Sequence, residues 1–354
     1  MAGEKNFGIY TNPEHDLYGE EVAMPKAPGE NEVTVKIIAC GICGSDVHYQ
    51  KEGTSGLNHV EEPMILGHEA AGIIVAVGPN VKQHKVGDRV SVEPGTPCNV
   101  CENCITGHYN GCPTLQFKSC PGYPGLLQKY VNHPARLCYN IGDLSFEEGA
   151  LLEPLSVALS GVRRSGLTVG EPTIVSGAGP IGVLTALVAR AAGASPLLIV
   201  DINEARLDLT KKIVPGVLTH KTGLKLTPKE TAKKLQERLG SKAKRVIECT
   251  GNEAAISTGI FSMEFAATIV IIGVGADEVK VPINYISFNE MTVKSIFRYT
   301  NTWPTLIRMI QSGVLNVKDC VSFKYGYKDS KEAFEKAADP KSTGIKTMIL
   351  MDQE

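Results

Sequence analysis

The 354-residue sequence predicts an α/β protein: a β-rich N-terminal region joined to a doubly wound parallel sheet. Three observations carry that expectation. Residues 172–201 read as strand, glycine turn, helix and strand. From there to about residue 290 strand and helix patterns alternate. Ahead of them, short strands are punctuated by frequent glycine and proline.

Residues 1–30 are polar with scattered prolines, and residues 31–38 (NEVTVKII) alternate apolar and polar like a half-buried strand. A glycine-punctuated turn, Cys40 to His48, and a polar loop, 50–63, follow. Gly67-His68-Glu69 precedes the β-rich run Ala70 to Val77, which Gly78-Pro79-Asn80 ends; residues 86–92 are a turn and a further strand. Residues 94–124 have no periodicity, and 126–131 return to a strand pattern. Residues 146–161 read as helix, with Ser145 and Glu148 spaced as a capping box and Pro154 expected to end or kink it. Further on, residues 204–214 are helical. Thr227 to Glu230 is a capping box with proline first in a helix that runs to Gly240. Strands are expected at 245–250 and 268–273.

Composition narrows the function. Charged residues make up 21% and hydrophobic ones 43%, and the net charge is −2. Nothing there points to nucleic acid or to an anionic membrane as partner. The N-terminal stretch has no apolar leader core, and no apolar run reaches the roughly 18 residues of a membrane span. The expectation is a soluble cytoplasmic protein.

The glycine turn has a chemical reading. Gly177 permits the tight turn, Gly179 lets the backbone approach a pyrophosphate, and Gly182 lets the helix pack closely. The free N–H groups at the helix start, around Pro180 and Ile181, then face phosphate. Asp201 lies 19 residues beyond Gly182, at the end of the second strand. A carboxylate there accepts hydrogen bonds from a ribose 2′-hydroxyl and repels a 2′-phosphate, which favours NAD over NADP. Ile202 and Arg206 complete the candidate set; Arg206 reads either as a phosphate partner or, more simply, as an exposed helix charge.

Two metal sets stand out. Of ten cysteines, Cys98, Cys101, Cys104 and Cys112 form C-x2-C-x2-C-x7-C in a polar segment with no core to bury them. Four thiolates close a tetrahedral structural zinc site; an iron–sulfur cluster is the rival reading. The second set is Cys43, His68, Glu69 and Glu153, the last an acid in an apolar stretch. Three protein ligands and a water make an open, catalytic zinc site. By spacing alone, Cys43 equally reads as a core thiol, His68 as a structural histidine and Glu69 as a surface acid.

Taken together, GICGSDVHY (41–49), PMILGHEAAG (63–72), residues 86–90, the four-cysteine lobe, LLEPLSVAL (151–159), the glycine turn and FRYTNTWP (297–304) resemble the zinc-dependent medium-chain alcohol dehydrogenase family, and within it the polyol dehydrogenases. PGLLQKYVNHPA (124–135) is similar to the fungal members that act on L-arabinitol. The resemblance spans nearly the whole chain. It implies a GroES-like β-rich catalytic domain from residues 1–155 and 291–354 and a Rossmann domain from 156–290. It implies Cys43, His68 and Glu69 as catalytic zinc ligands, with Glu153 ligating the zinc or holding its water. Ser45 and His48 match the family's proton relay, and Tyr49, Arg298 and Tyr299 match polyol contacts. The four-cysteine lobe departs from mammalian-type sorbitol dehydrogenases and agrees with fungal and bacterial ones.

The implied activity is NAD-dependent oxidation of a secondary hydroxyl of an acyclic polyol to a ketose. It would use two zinc ions per chain and a homotetrameric assembly. L-Arabinitol is the first expected substrate, D-sorbitol and xylitol the next, and L-threonine a more distant one. A non-catalytic binding protein of the same fold is the reading from another class.

Overall fold

The computed structural model describes residues 4–56, 58–223 and 225–353. Residues 1–3 of the N-terminal stretch, Leu57 of the 50–63 loop and the final Glu354 lie outside them. The chain divides into two compact units. One comprises Met1–Glu153, Trp303–Gln311 and Val317–Glu354; the other comprises Pro154–Thr302 and Ser312–Asn316.

The first unit is built on a sheet ordered Cys138–Asn140, Arg89–Val92, Glu69–Val77, Glu32–Gly41, Lys346–Leu350 and Val321–Gly326, with Tyr130–Pro134 also paired to Glu32–Gly41. Val33, Val35, Ile37, Ile74, Val90 and Val92 are fully buried, which accounts for the alternation legible in the central strands. The strand Lys346–Leu350 pairs antiparallel with Glu32–Gly41, so segments about 300 residues apart share one sheet. Trp303 opens the helix Trp303–Gln311 and anchors it to this unit. Its ring is fully buried and stacks on Tyr139 at 5.7 Å, and its Nε1–H donates to Ser91 Oγ at 3.0 Å.

The second unit holds six parallel strands ordered Leu218–Lys221, Leu197–Asp201, Thr173–Ser176, Ala243–Glu248, Met263–Ile271 and Thr292–Ser295. In order of appearance this is 3-2-1-4-5-6, the doubly wound arrangement whose crevice opens beside the first strand, where the order reverses. The helix Pro180–Ala191 follows the glycine turn, and Thr227 and Glu230 form their capping box at the head of Pro228–Leu239.

One sequence expectation needs correction. Residues 291–302 do not belong with the β-rich unit, because Thr292–Ser295 pairs with Thr268–Ile271 as the sixth strand of the parallel sheet. That strand is short and largely exposed at a sheet edge, so it carries no apolar run to announce it. Pro154 interrupts the expected 146–161 helix, because it has no N–H to offer the Ala150 carbonyl four residues back. The helix Phe146–Ala150 stops at Leu151, and Pro154 lies in the first turn of Leu152–Ser165, where its missing N–H has no intrahelical partner to lose.

Replacing Trp303 by Ala removes a buried ring and orphans the Ser91 contact. The expected loss is about 3–5 kcal/mol in denaturant unfolding, a value typical of large-to-small aromatic core changes.

Candidate active site and dinucleotide turn

Cys43 is the N-cap of the helix Gly44–Glu52, so its side chain stands at the helix's positive end. His68 and Glu69 stand at the start of the strand Glu69–Val77 and are both buried. One ligand atom from each of Cys43, His68 and Glu69 lies within 4.8 Å of the others. Glu69 is there because Gly41 across the sheet has no side chain: a Cβ on Gly41 would lie 2.2 Å from Glu69 Oε2.

Two groups that sequence reasoning missed hold this cluster. Asp46 is fully buried. Its Oδ2 accepts from the Cys43 N–H at 3.0 Å; its Oδ1 accepts from the Gly67 N–H at 3.0 Å and the Ser119 hydroxyl at 2.8 Å. The same Oδ1 lies 3.5 Å from His68 Nδ1. Burial works against the charged carboxylate, but His68 and these donors keep Asp46 below the ordinary value. Lys346, also buried, donates to Glu69 Oε1 at 2.5 Å. Burial would lower its pKa, yet the fields of Glu69, Cys43 and Glu153 hold it above the usual lysine value. Asp46 had a readable signal, since it stands three residues after Cys43 at capping-box spacing. Lys346 had one too, as a lysine opening the apolar strand KTMIL.

The cluster suits a divalent cation. Glu69 Oε2 is buried without a hydrogen-bond partner among the described residues. Burial opposes a charged His68, but Asp46 and Cys43 favour positive charge there strongly enough to raise its pKa well above normal. A soft thiolate, an imidazole and a carboxylate are a donor set for zinc. Metal-binding histidines commonly give their second ring nitrogen to a carboxylate, as Asp46 is placed to accept.

The other expected residues fall as follows. Glu153 is buried in the first turn of Leu152–Ser165, outside the 4.8 Å trio, and its charge is felt by Lys346. Ser45 is half-buried; His48, on the same helix, is exposed, with Nδ1 3.0 Å from the Glu52 carboxylate. Tyr49 is buried and its hydroxyl donates to Cys120 Sγ at 3.8 Å. Arg298 and Tyr299 lie in the second unit beyond its sixth strand. Arg298 has φ +55° and its guanidinium stands 4.8 Å over the Phe297 ring, while Tyr299 is buried.

In the four-cysteine lobe, Cys98, Cys101, Cys104 and Cys112 bring their sulfurs within 4.8 Å of one another. Cys101 and Cys104 are 3.4 Å apart and Cys98 and Cys104 3.9 Å. A tetrahedron with Zn–S of about 2.3 Å has edges of about 3.8 Å. Backbone N–H groups of Val100 and Cys101 lower the Cys98 thiol. Burial opposes ionisation of Cys112, but the Cys98 N–H and Thr114 bring it down to about 6. Burial and the neighbouring thiols push Cys104 up to about 12, the response of a sulfur crowded by others that a cation would relieve.

The glycine turn lies at the C-terminal end of the second unit's first strand. Gly177 has φ +95°. Gly179 is the N-cap of Pro180–Ala191, and a Cβ there would meet only open space, the room a phosphate needs. Gly182 is confined differently from expectation: its Cβ would fall 1.8 Å from the Gly177 carbonyl, so the close approach is to the turn itself. Ile181 is half-buried and Pro180 exposed. Asp201 accepts from the Ala178 N–H at 2.6 Å and the Asn203 N–H at 2.8 Å, which fixes its carboxylate against the turn. Ile202 is exposed and Arg206 half-buried one helical turn on. On the neighbouring strand, buried Glu248 accepts from the Thr250 and Gly251 N–H groups, both at 2.8 Å, and so shapes the facing loop.

If Asp46 orients His68, Asp46→Asn should weaken metal binding at the Cys43 cluster about 10–100-fold in a chelator competition. Unchanged affinity would show that the carboxylate serves the fold alone.

Comparison with known proteins places these features. The alcohol dehydrogenase GroES-like domain model matches residues 29–143, and the zinc-binding dehydrogenase model matches residues 180–312. An L-arabinitol 4-dehydrogenase of Aureobasidium melanogenum is 46% identical over 359 residues, covering 99% of this chain and 98% of that protein. The sorbitol dehydrogenase of Mus musculus is 42% identical over 352 residues, covering 99% and 97%. The crystal structure of an Escherichia coli oxidoreductase/dehydrogenase of unknown specificity matches with a TM-score of 0.91 at 32% identity, covering 99% of this chain and 100% of that one. The β-rich unit is thus a GroES-like domain and the parallel sheet a Rossmann domain, and the chain belongs to the zinc-binding dehydrogenase family of alcohol dehydrogenases.

Proposed function

We propose that this protein is a zinc-dependent polyol dehydrogenase that oxidises a secondary hydroxyl of L-arabinitol with NAD, giving a ketose. The observation that carries the reading is the Cys43, His68 and Glu69 donor set, with half-buried Cys43, buried His68 and Glu69, and a free Glu69 carboxylate oxygen. The full-length similarity to L-arabinitol 4-dehydrogenases supports the substrate. D-Sorbitol or xylitol is the second reading, favoured by the similarity to mouse sorbitol dehydrogenase.

Zinc in this site supplies Lewis acidity that lowers the pKa of a hydroxyl, and the nicotinamide accepts the hydride. The chain's own residues do the rest. Cys43, His68 and Glu69 hold the metal, and Glu153, set back from the trio, holds a water or substrate proton beside it. Ser45 passes the proton along its helix to His48, whose exposure delivers it to solvent. Tyr49, Arg298 and Tyr299 engage the remaining hydroxyls and select the carbon presented, a positioning effect. Gly177, Gly179 and Gly182 shape the phosphate cradle, and Asp201 beside Ile202 takes the ribose hydroxyls. We assign the GroES-like unit to catalysis and the Rossmann unit to the dinucleotide, with a second, structural zinc in the four-cysteine lobe.

We further propose a cytoplasmic homotetramer. Ten free cysteines fit a reducing compartment. The edge strand Thr292–Ser295, with Val293 and nearby Phe288 exposed, offers an edge for pairing between copies. No helix among the described residues is long and apolar enough to cross a membrane.

NADH formation across L-arabinitol, xylitol, D-sorbitol, galactitol and L-threonine tests the substrate. L-Arabinitol should lead, and a chelator should abolish the rate; silence on every polyol would overturn the proposal. Cys43→Ser should remove turnover from a folded protein, whereas Cys101→Ser should lower zinc content and thermal stability. Asp201→Ser with Ile202→Arg should shift the preference toward NADP. An unmoved NAD to NADP ratio of kcat/KM would take Asp201 out of the ribose site.

A further inference from the structure

A second polar cavity, of about 120 Å³, lies in the GroES-like unit. It is lined by Lys118 together with Glu32, Thr96, Gln116, Tyr123 and Asn132. Lys118 is half-buried, and its ammonium has no hydrogen bond or ion pair among the described residues. Burial pulls it below the ordinary lysine value, and the field of Glu32 only partly opposes this. Glu32 itself is committed elsewhere, its Oε2 accepting from the Gly29 N–H at 3.0 Å. Asn132 is likewise spent, between Thr34 and the Lys26 carbonyl. The side chains of Thr96, Gln116 and Tyr123 carry no hydrogen bond among the described residues.

The residues on either side of Lys118 point to the active site. Phe117 packs its ring 5.6 Å from the His68 ring. Ser119 donates to Asp46 Oδ1 at 2.8 Å and has φ +63°, a left-handed conformation that fixes the backbone there. Three consecutive residues therefore meet His68, the cavity and Asp46 in turn.

We propose that this cavity is a second ligand site, for a small hydroxy-carboxylate, and that its occupancy acts on the zinc cluster through residues 117–119. A carboxylate oxygen accepts from the Lys118 ammonium, and hydroxyls on the ligand pair with Thr96, Gln116 and Tyr123. One unpaired cation facing one fixed carboxylate suits a monoanion and disfavours a dianion. The volume is that of about four waters, enough for an acid of five or six heavy atoms.

Calorimetric titration of the zinc-loaded enzyme with glycolate tests the site. Wild type should show saturable binding. Lys118→Met should weaken it about tenfold or more, the effect of losing about 1.4 kcal/mol of interaction. Lys118→Arg, which keeps the charge, should stay within about threefold of wild type, and inorganic phosphate should bind more weakly than glycolate. The coupling is read in the polyol kinetics: saturating glycolate should change KM or kcat about twofold or more in wild type and leave Lys118→Met unmoved. Lys118→Met by itself should turn over within about twofold of wild type, since it touches no reacting group. Absence of saturable heat, or equal binding by Lys118→Met, which would place glycolate at the catalytic metal, overturns the site. Phosphate binding as tightly as glycolate overturns the choice of ligand, and binding without a kinetic effect overturns the coupling.

Discussion

The catalytic half of this molecule depends on one buried carboxylate. Asp46 is removed from water, so each of its oxygens must be met by donors or the charge could not be kept there. Those donors are the backbone of Cys43, the backbone of Gly67 and the hydroxyl of Ser119, with His68 alongside. They come from three separate segments: the turn before a helix, the turn before a strand, and the stretch after the cysteine lobe. Satisfying one side chain therefore fixes the relative positions of two ligands and of the wall behind them. A second buried pair, Glu69 with Lys346, does the same for the third ligand. It also sets the charge balance, because Glu69 and nearby Glu153 and Asp46 gather negative charge that the buried Lys346 offsets.

The dinucleotide half solves a different problem by different means. Its ligand would be long, anionic and bound mainly by backbone, so the sheet presents turns rather than side chains. Gly179 leaves space, Gly182 brings helix and turn into contact, and the two carboxylates Asp201 and Glu248 brace neighbouring loops by accepting backbone N–H groups. Backbone contacts of this kind hold phosphate without reading the rest of the dinucleotide, a task left to side chains such as Asp201 in the proposed reading.

Much of this was legible in the chain itself. The glycine turn, its two strands and the acid at position 201 form a local pattern of about thirty residues, and local patterns survive into structure. The cysteine lobe was legible because four thiols at short spacing have few alternatives in a polar segment. The sixth strand of the parallel sheet was not, since Thr292–Ser295 is an exposed edge whose place is set by its neighbour rather than by its composition. Nor were Ser119 as partner of Asp46 or Lys346 as partner of Glu69, because those hydrogen bonds cross 73 and 277 positions of sequence. Glu153 shows the middle case. Its burial was readable from an acid in an apolar stretch, but the field it exerts on Lys346 was not.

The span between Glu69 and Lys346 has a consequence for how the protein comes into being. The GroES-like sheet takes the strand Lys346–Leu350 from the end of the chain, whereas residues 154–302 of the Rossmann unit are continuous. On a ribosome adding about 5–20 residues per second, the parallel sheet can close while the catalytic unit still lacks a strand. Until Lys346–Leu350 emerges, Glu69 has no lysine beside it and Ala39–Gly41 lacks its partner on that side. The nascent chain therefore carries the Cys43, His68 and Glu69 cluster without its balancing lysine, beside a strand paired on one side only at Ala39–Gly41, until Lys346–Leu350 emerges. The order of assembly is set by connectivity.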